Sequence, residues 1–214
     1  MKTFNQYITE KIKLSSDRFG GEYNGIEYVD LGLKSGTLWA TCNLDAKKPE
    51  EPGGYYAWGE LEEKDEYSWA NYKFANYTQA TKYNKDDSMC ELELEDDVAN
   101  VKLGGKWHIP TVKQVIELNF LEHEYVENYN DSGMNGILFT GLNNTKLFLP
   151  YVGYKIVEHD PEGMYKNTVL WTSTLQNNPI NAHTLLYADK HGNGNTDKAT
   201  RNQGLQIRPV FERK

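Results

Sequence analysis

A polar stretch near the end of the chain carries the side chains most suited to ligand recognition. Residues 191–203, HGNGNTDKATRNQ, contain three Asn and two Gly, and offer amide, hydroxyl and charged groups without a large apolar side chain. Such groups hydrogen-bond adaptably but supply no activated nucleophile. The stretch is longer than most hairpin connections, and residues 204–211 behind it alternate apolar and polar side chains like a last strand. The pattern is consistent with a solvated loop or with a binding surface displayed on a rigid frame.

The chain contains none of the short motifs by which catalytic sites are recognised in a sequence. It has no Walker loop, no glycine-rich dinucleotide motif, no HExxH and no GxSxG. Its five histidines do not fall at metal-ligand spacing, and His123 is expected to lie exposed on a helix. We therefore expect a protein that is not an enzyme and that needs no metal or other cofactor.

Carboxylates are concentrated in residues 91–97, ELELEDD. A calcium site would need oxygens that converge from turns, usually with Gly at a bend. Here the acids alternate with Leu92 and Leu94 and then precede a helix. The stretch therefore predicts a solvated edge followed by a helix cap.

Composition and cysteine content restrict the compartment and the partner. Cys42 and Cys90 form no CxxC pair, so we expect two free and mostly buried thiols rather than a zinc site. The net charge of −8 argues against nucleic acid as the partner. No apolar run has membrane-spanning length, and the N-terminus lacks a secretory signal. The chain is expected to be soluble, and either cytoplasmic or carried inside a particle.

The first 25 residues are predicted to form a unit of their own. Thr3 followed by Gln6 fits a capping box, and the helix that begins there would place four apolar side chains on one face. These four are Phe4, Tyr7, Ile8 and Ile12. So short a helix is marginal in water, and its apolar face needs a partner, which is either the protein's own domain or another protein. Residues 15–25 are interpreted as a linker, and the main domain is expected to span 26–214.

The elements that would position the polar stretch follow the order strands, two helices, strands, which predicts an α+β fold. Strand-like runs lie between 26 and 60, and residues 61–90 are interpreted as a long ordered segment with little regular structure. Four of the five tryptophans are assigned to the core, and the fifth, Trp69, could offer a platform for a sugar. The four are Trp39, Trp58, Trp107 and Trp171.

Both helices are predicted from their capping residues. The first begins after Asp96 or Asp97 and ends at Gly104, which would supply a left-handed stop. The second begins after Thr111, with Gln114 completing a capping box, and continues to residue 125. Its buried side is predicted to consist of Val112, Val115, Ile116 and Leu118.

Six segments form a joint pattern that is more specific than any one of them. They are YVDLGLKSGTLWATCNL, GGYYAWGE, DDVANVKLGGKWHIPT, FLPYVGY, LWTST and GLQIRPV, in that order. Together they resemble the major-paralogous-domain family, often abbreviated FISUMP, which is found in gut bacteria and their phages. The resemblance covers residues 26–211. One departure is His108, which stands where the family usually has Arg.

The resemblance implies a C-type-lectin-like fold, in which a small twisted antiparallel sheet and two helices support long ordered loops. In that fold the stretch before the last strand forms part of the ligand face, and in some such proteins diversity-generating retroelements mutate it at adenines. Asn codons are rich in adenine, so residues 175–203 are the implied ligand face, with or without diversification. The candidate ligand-binding residues are Asn177, Asn178, Asn181, His183, Asn193, Asn195, Asp197, Thr200, Arg201 and Asn202.

The N-terminal helix has a resemblance of its own. It is similar to the capsid-targeting peptide of internal head proteins in large tailed phages, which a maturation protease removes after a Glu placed like Glu10. The leading hypothesis is therefore a non-enzymatic, virion-associated module that binds a protein or a glycan, with residues 1–25 as a docking arm for other virion proteins. The alternatives are a purely architectural virion subunit and an enzyme of the formylglycine-generating type. That enzyme needs reactive cysteines in the C-terminal half, whereas both cysteines here precede residue 91.

Overall fold

The computed structural model describes residues 19–76, 79–156, 162–164, 166–188 and 190–213. This part of the chain has an α+β fold of strands and two short α-helices. The strands are β1 Gly20–Tyr23, β2 Ile26–Asp30, β3 Thr37–Ala40, β4 Glu122–Val126, β5 Gly136–Thr140, β6 Lys146–Pro150, β7 Val152–Tyr154, β8 Glu162–Met164, β9 Asn167–Leu175, β10 Asn181–Ala188, β11 Asn193–Thr200 and β12 Val210–Glu212. The helices are α1 Val98–Leu103 and α2 Val112–Asn119.

The described strands form three sheets. The terminal sheet has the order β1-β2-β3-β12, the central sheet β11-β10-β9-β7-β8, and the small sheet β4-β5-β6. Neighbouring strands run antiparallel except β7 and β9, which are parallel. The polar stretch of interest lies in the central sheet.

The terminal sheet joins the two ends of the described chain. Strand β3 pairs with β2 on one side and with β12 on the other, so residues 28–30 and 210–212 lie in one sheet with a single strand between them. The linker prediction was wrong for its second half. Residues 20–23 pair with β2 as the edge strand β1, so the sheet begins before residue 26. The predicted docking side chains Phe4, Tyr7, Ile8 and Ile12 lie outside the described residues.

Helix α1 confirms its predicted caps. The Asp97 carboxylate accepts a hydrogen bond from the Asn100 amide at 3.0 Å, and Gly104 ends the helix with a φ of 68°. Such a φ is unfavourable for residues with a Cβ, which explains the glycine.

Helix α2 confirms its capping box but is shorter than predicted. Thr111 and Gln114 bond reciprocally, and Val115 and Leu118 are fully buried. The helix ends at Asn119, and residues 122–126 form strand β4 instead. Ile116 is 40% exposed, so its assignment to the buried side was wrong.

Residues 41–93 form an irregular segment that is nevertheless tightly packed. Its described residues contain no α-helix and no strand longer than an isolated bridge. Aromatic side chains fill its interior, and their polar atoms bond to backbone carbonyls; the Trp58 indole donates to Thr172 at 2.8 Å, and the Tyr72 hydroxyl to Trp58 at 2.7 Å. The expectation of an ordered segment with little regular structure is confirmed for the described residues of 61–90. The strand-like run predicted up to residue 60 was wrong, because Tyr56 forms only an isolated bridge with Leu205. The four tryptophans assigned to the core are also fully buried.

The alternation of residues 204–211 predicted a half-buried strand, and this was wrong. Only Val210–Glu212 is a strand, and residues 205–208 are buried whether apolar or polar. They run between the irregular segment and β9, because Leu205 bridges Tyr56 and Gln206 bridges Leu170. The buried Arg208 guanidinium donates to three backbone carbonyls and to Asn43, and burial lowers its pKa to about 10.

Both cysteines are free, but neither is buried. Cys42 is half-buried and Cys90 is exposed, so the expectation of mostly buried thiols was wrong. Among the described residues, no helix has the length and apolar character to cross a membrane.

Candidate ligand-binding site

The polar stretch that was expected to be a loop forms half of a long β-hairpin. Strand β11 pairs with β10 along its whole length, from Asn181 opposite Thr200 to Ala188 opposite Asn193. Seven residue steps separate Asn193 from Thr200, which amounts to about 23 Å at the usual rise of a strand. The candidate residues therefore lie at two distant ends of the hairpin and cannot form one compact site.

One end of the hairpin lies at the turn between β9 and β10. Here the Asn178 carbonyl accepts the Asn181 amide at 2.9 Å, and the Asn178 side chain accepts the Ile180 amide at 3.3 Å. Asn177 is exposed in the same turn, and Thr200 is half-buried. The His183 Nδ1 hydrogen-bonds to the Gln176 amide group at 2.8 Å. Burial lowers the pKa of His183, so this imidazole is neutral at physiological pH.

Arg201 and Asn202 are not available to a ligand, because both are buried. The Arg201 guanidinium lies 4.7 Å from the Trp58 ring centroid and is also close to Tyr72 and Tyr83. It donates to the Tyr72 hydroxyl and to three backbone carbonyls, those of Lys82, Tyr83 and Pro179. The Asn202 side chain donates to the Tyr67 carbonyl at 3.3 Å. Their placement on an exposed ligand face was wrong.

The other end of the hairpin keeps some predicted residues exposed. Asn195 and Asp197 are exposed and, by register, lie opposite Leu186 and Thr184 on one face of the central sheet. For Asn193 only the backbone is described, paired with Ala188. This end of the hairpin adjoins a cleft that the sequence did not predict.

The cleft, which we call the Tyr125 cleft, has a volume of about 450 Å³. It lies where the small sheet meets the ends of β9 and β10. Side chains from five separate parts of the chain form it. The lining residues are Tyr125, Glu127, Asn135, Tyr151, Lys166, Asn167, Ala188 and Lys190. Tyr151 is fully buried, and the half-buried Tyr125 ring stands 5.8 Å from it at a tilt of 46°.

The hairpin end is held against strand β4, which brings Tyr125 and Lys190 together. Gly192 has a φ of 64°, and a Cβ there would meet Ile137 at 3.5 Å and the Tyr125 amide at 3.7 Å. His123 lies on β4 with its ring 5.2 Å from that of Tyr187 and 5.4 Å from that of Phe139. His123 is exposed, as predicted, but the prediction of a helix was wrong, since the residue lies on strand β4.

Charged groups surround the rim of the Tyr125 cleft. The Lys190 ammonium lies 3.4 Å from Glu127, and both side chains are largely exposed. Lys166 is exposed as well. Burial raises the pKa of Tyr125, and the neighbouring Glu127 raises it further, so its phenol stays neutral at physiological pH.

Asn167 presents an unused hydrogen-bond acceptor at the cleft. Its side-chain oxygen is buried and has no hydrogen-bond partner among the described residues. A buried carbonyl oxygen without a donor costs about 1–3 kcal/mol relative to a paired one. Such an oxygen in a concave site is well suited to accept a hydrogen bond from a ligand.

A second hollow, the sheet groove, adjoins the first. Its volume is about 320 Å³, and it shares Asn167 and Ala188 with the Tyr125 cleft. The groove runs over one face of the central sheet and is bordered by Asp197, the only predicted candidate that lines either hollow among the described residues. Asn167 therefore borders both hollows. The remaining lining residues are Tyr154, Val169, Thr184, Leu186, Lys198, Ala199 and Gln203.

The carboxylate stretch does bring three acids together, but a lysine occupies their centre. Ligand oxygens of Glu93, Glu95 and Asp96 lie within 4.8 Å of one another. The Lys82 ammonium lies 2.7 Å from Glu93, 3.6 Å from Glu95 and 2.5 Å from Asp96. The Lys82 ammonium therefore occupies the position between these carboxylates that a metal ion would need. Asp96 and Asp97 are buried, so the solvated edge predicted for this stretch holds only for the acids at 91, 93 and 95.

Comparison of the chain with known protein families, with curated proteins and with solved structures finds no significant match. The resemblance of the sequence motifs to the FISUMP family therefore remains a hypothesis. The candidate site rests on the geometry of this chain alone.

Sequence reasoning missed most of the site because its residues are far apart along the chain. Residues 122–125 were assigned to the preceding helix, but that helix is capped at Phe120, and residues 122–126 pair with β5 as a strand. For Lys166 and Asn167 the sequence contains no signal beyond their position next to a strand.

Proposed function

We propose that this protein is a non-enzymatic module that binds an oligosaccharide across the Tyr125 cleft and the sheet groove. The observation that carries the proposal is the buried, unpaired side-chain oxygen of Asn167, a residue that borders both hollows. A sugar hydroxyl can donate a hydrogen bond to this oxygen once the Asn167 side chain turns it toward the cleft, and can accept a hydrogen bond at the same time.

The size and lining of the hollows support this ligand class. Ligand sites commonly have volumes of about 300–1,000 Å³, and the two hollows measure about 450 and 320 Å³. A tyrosine ring provides a flat apolar surface with a polar tip, which suits the apolar face and the hydroxyls of a sugar ring. Asn135 and Asn167 contribute amide groups to the same cleft.

The frame around the site is rigid before a ligand arrives. Asn167 and Ala188 pair across β9 and β10, and the ladder continues toward the centre of the sheet. Tyr151 and Tyr187 beneath are fully buried. A preformed site loses little conformational freedom on binding, so a few polar contacts are enough for useful affinity.

A C-type-lectin-like architecture is part of the proposal. The terminal sheet that joins both chain ends, the two helices and the long irregular segment 41–93 support it. Transport of the module by a phage particle, docking through residues 1–25, and diversification of the Asn-rich hairpin remain proposals that rest on the sequence. Mass spectrometry of purified particles would test the first two, since a mature N-terminus at Lys11 is expected.

The function is tested by glycan-array screening followed by calorimetric titration with the best oligosaccharide. Tyr125→Ala should weaken binding by at least about tenfold, because it removes the ring that faces the ligand. Asn167→Ala should weaken binding about three- to tenfold. The free energy of unfolding should not fall in the Asn167 variant, since the lost oxygen has no partner to leave behind.

The matched control is Asn178→Ala at the opposite end of the hairpin, where we expect unchanged affinity. If Asn178→Ala abolishes binding while Tyr125→Ala and Asn167→Ala do not, the ligand face lies at the β9–β10 turn and this proposal is wrong. A protein that binds only peptides on parallel arrays would contradict the oligosaccharide assignment.

A further inference from the structure

The rim of the Tyr125 cleft differs in charge from the protein as a whole. The chain carries a net charge of −8. Among the described residues that line the cleft, however, the ionised side chains are Lys166 and Lys190 and one carboxylate, that of Glu127. An anionic group that enters the cleft therefore meets a local excess of positive charge.

Neither ammonium is committed to the fold. The side chains of Lys190 and Glu127 are 78% and 62% exposed, at an N–O distance of 3.4 Å. Such exposed ion pairs contribute little to stability and exchange partners easily. Lys166 forms no ion pair with any described residue. Both cations can therefore turn toward a ligand without cost to the packing beneath them.

We infer that the oligosaccharide carries an acidic group, a carboxylate or a sulfate, which Lys166 and Lys190 bind while Asn167 and Tyr125 bind the sugar ring. The inference rests on the proposed function and specifies its substrate class. The acidic group neutralises the excess charge of the rim, and the ring hydroxyls satisfy the Asn167 oxygen. Both features of the cleft are then used by one ligand.

The overall charge argues for an isolated acidic group rather than a polyanion. A long chain of phosphates or sulfates would extend beyond the two lysines and meet the net negative charge of the protein. Within the sheet groove the nearest charged side chains are Asp197 and Lys198, which balance each other. A sugar unit that occupies the groove should therefore be neutral.

The inference is tested with three matched probes in calorimetric titrations. The probes are a glucuronic-acid-containing disaccharide, its methyl ester, and a sulfated disaccharide of the same core. The acid or the sulfate should bind more tightly than the ester, and raising the ionic strength should weaken only the charged probes. The two charged probes distinguish a carboxylate site from a sulfate site.

Charge variants of the rim locate the effect. Lys166→Gln and Lys190→Gln should each weaken binding of the charged probe about two- to fivefold and leave the ester unchanged. Glu127→Gln should strengthen binding of the charged probe about twofold, because it frees Lys190. Lys113→Gln, at an exposed position of helix α2, changes the net charge equally and serves as the control, with no expected effect.

The outcomes distinguish failure of the acidic-ligand inference from failure of the proposed oligosaccharide site. Equal affinities for acid, sulfate and ester, unaffected by the lysine variants, would overturn the acidic ligand and leave an oligosaccharide site in place. Loss of all binding in Tyr125→Ala together with that equality would confirm the site as one for neutral sugars. Failure of every probe, neutral or charged, would overturn both proposals.

Discussion

The irregular segment 41–93 and the β10–β11 hairpin differ in how regular backbone structure goes with side-chain burial. The segment has no regular strand or helix among its described residues, yet Trp58, Tyr67 and Tyr83 in it are fully buried. The hairpin has an unbroken backbone ladder, yet Asn195 and Asp197 on β11 are exposed. One region is held by side chains and the other by main-chain hydrogen bonds. Regular secondary structure therefore does not predict which positions of this protein tolerate substitution.

The two regions meet at Arg201. The residue follows β11 directly, and its amide bonds to the Ile180 carbonyl at 3.0 Å. Its side chain enters the irregular segment and bonds to the carbonyls of Lys82 and Tyr83. A single guanidinium thus supplies donors that the irregular backbone lacks. The aromatic rings around it stabilise its charge in place of a carboxylate.

Arg201→Ala is expected to give the largest effect on stability. It leaves one buried and two partly buried carbonyls without this donor and opens a cavity beside Trp58. We expect the free energy of unfolding to fall by at least about 3 kcal/mol, measured by chemical denaturation. Lys198→Ala, an exposed position on the same hairpin, should change it by less than about 0.5 kcal/mol. If both variants lost a similar, small amount of unfolding free energy, the contrast between the irregular segment and the hairpin would be wrong.

Asp96→Asn should give an intermediate effect that depends on pH. Burial alone would raise the pKa of Asp96, but hydrogen bonds from Lys82, Tyr83 and Lys73 outweigh it and hold that pKa below its ordinary value of 3.8. We expect a loss of about 1–3 kcal/mol at neutral pH, since the lysines are partly exposed. A carboxyl group whose pKa is lower in the folded than in the unfolded protein contributes its full stabilisation at pH values above the unfolded-state pKa. That stabilisation is lost as the pH falls through the folded-state pKa.

The measurement is chemical denaturation of wild type and Asp96→Asn between neutral pH and about pH 2.5, a span chosen to cross the ordinary aspartate pKa. The difference between the two proteins should stay constant above the ordinary aspartate range and shrink below it. A difference that grows on acidification would show that the Lys82 contact does not stabilise the segment.

Gly194→Ala should give the smallest of the three losses of stability. It tests whether packing against the core restricts the residue type at any position of the hairpin. A Cβ at this position would lie 2.0 Å from the Tyr187 ring, which is buried and bonds through its hydroxyl to Asn119 at 2.7 Å. Displacing the ring should cost about 1–2 kcal/mol in thermal or chemical unfolding. The matched controls are Asn195→Ala and Asp197→Ala on the same strand, for which changes below about 0.5 kcal/mol are expected. Equal effects at all three positions would argue that no residue of β11 is selected by packing.

Local chemistry made the helices and the core tryptophans predictable from the sequence. A cap is decided by residues within one turn of it, as Asp97 with Asn100 and Thr111 with Gln114 show. The general α+β order was predictable for the same reason, since periodicity and turn residues act over short distances. The end of helix α2 was missed because residues 122–126 form a strand only by pairing with β5.

The polar hairpin was missed because its strand has no apolar face to reveal it. Residues 193–200 contain Asn, Gly, Asp and Lys, all of which are depleted in strands. Their pairing with β10 supplies the hydrogen bonds that the composition does not predict. The Tyr125 cleft was missed for a related reason, because Tyr125, Tyr151 and Asn167 come together only when the small sheet packs against the central one.

The sequence by itself determined the capping of α1 and α2, the α+β order and the burial of the tryptophans. Each of these depends on side chains that act on their own backbone or on strong hydrophobicity. Only the tertiary structure decided that Arg201 is buried and that the Asn-rich stretch is a strand. It also decided that the side-chain oxygen of Asn167, which borders both hollows, has no hydrogen-bond partner among the described residues. The physical reason is that a polar side chain has no intrinsic preference strong enough to decide between solvent and the protein interior. Whether it is solvated, buried or left for a ligand depends on which distant donors, acceptors and rings the fold brings within hydrogen-bonding distance.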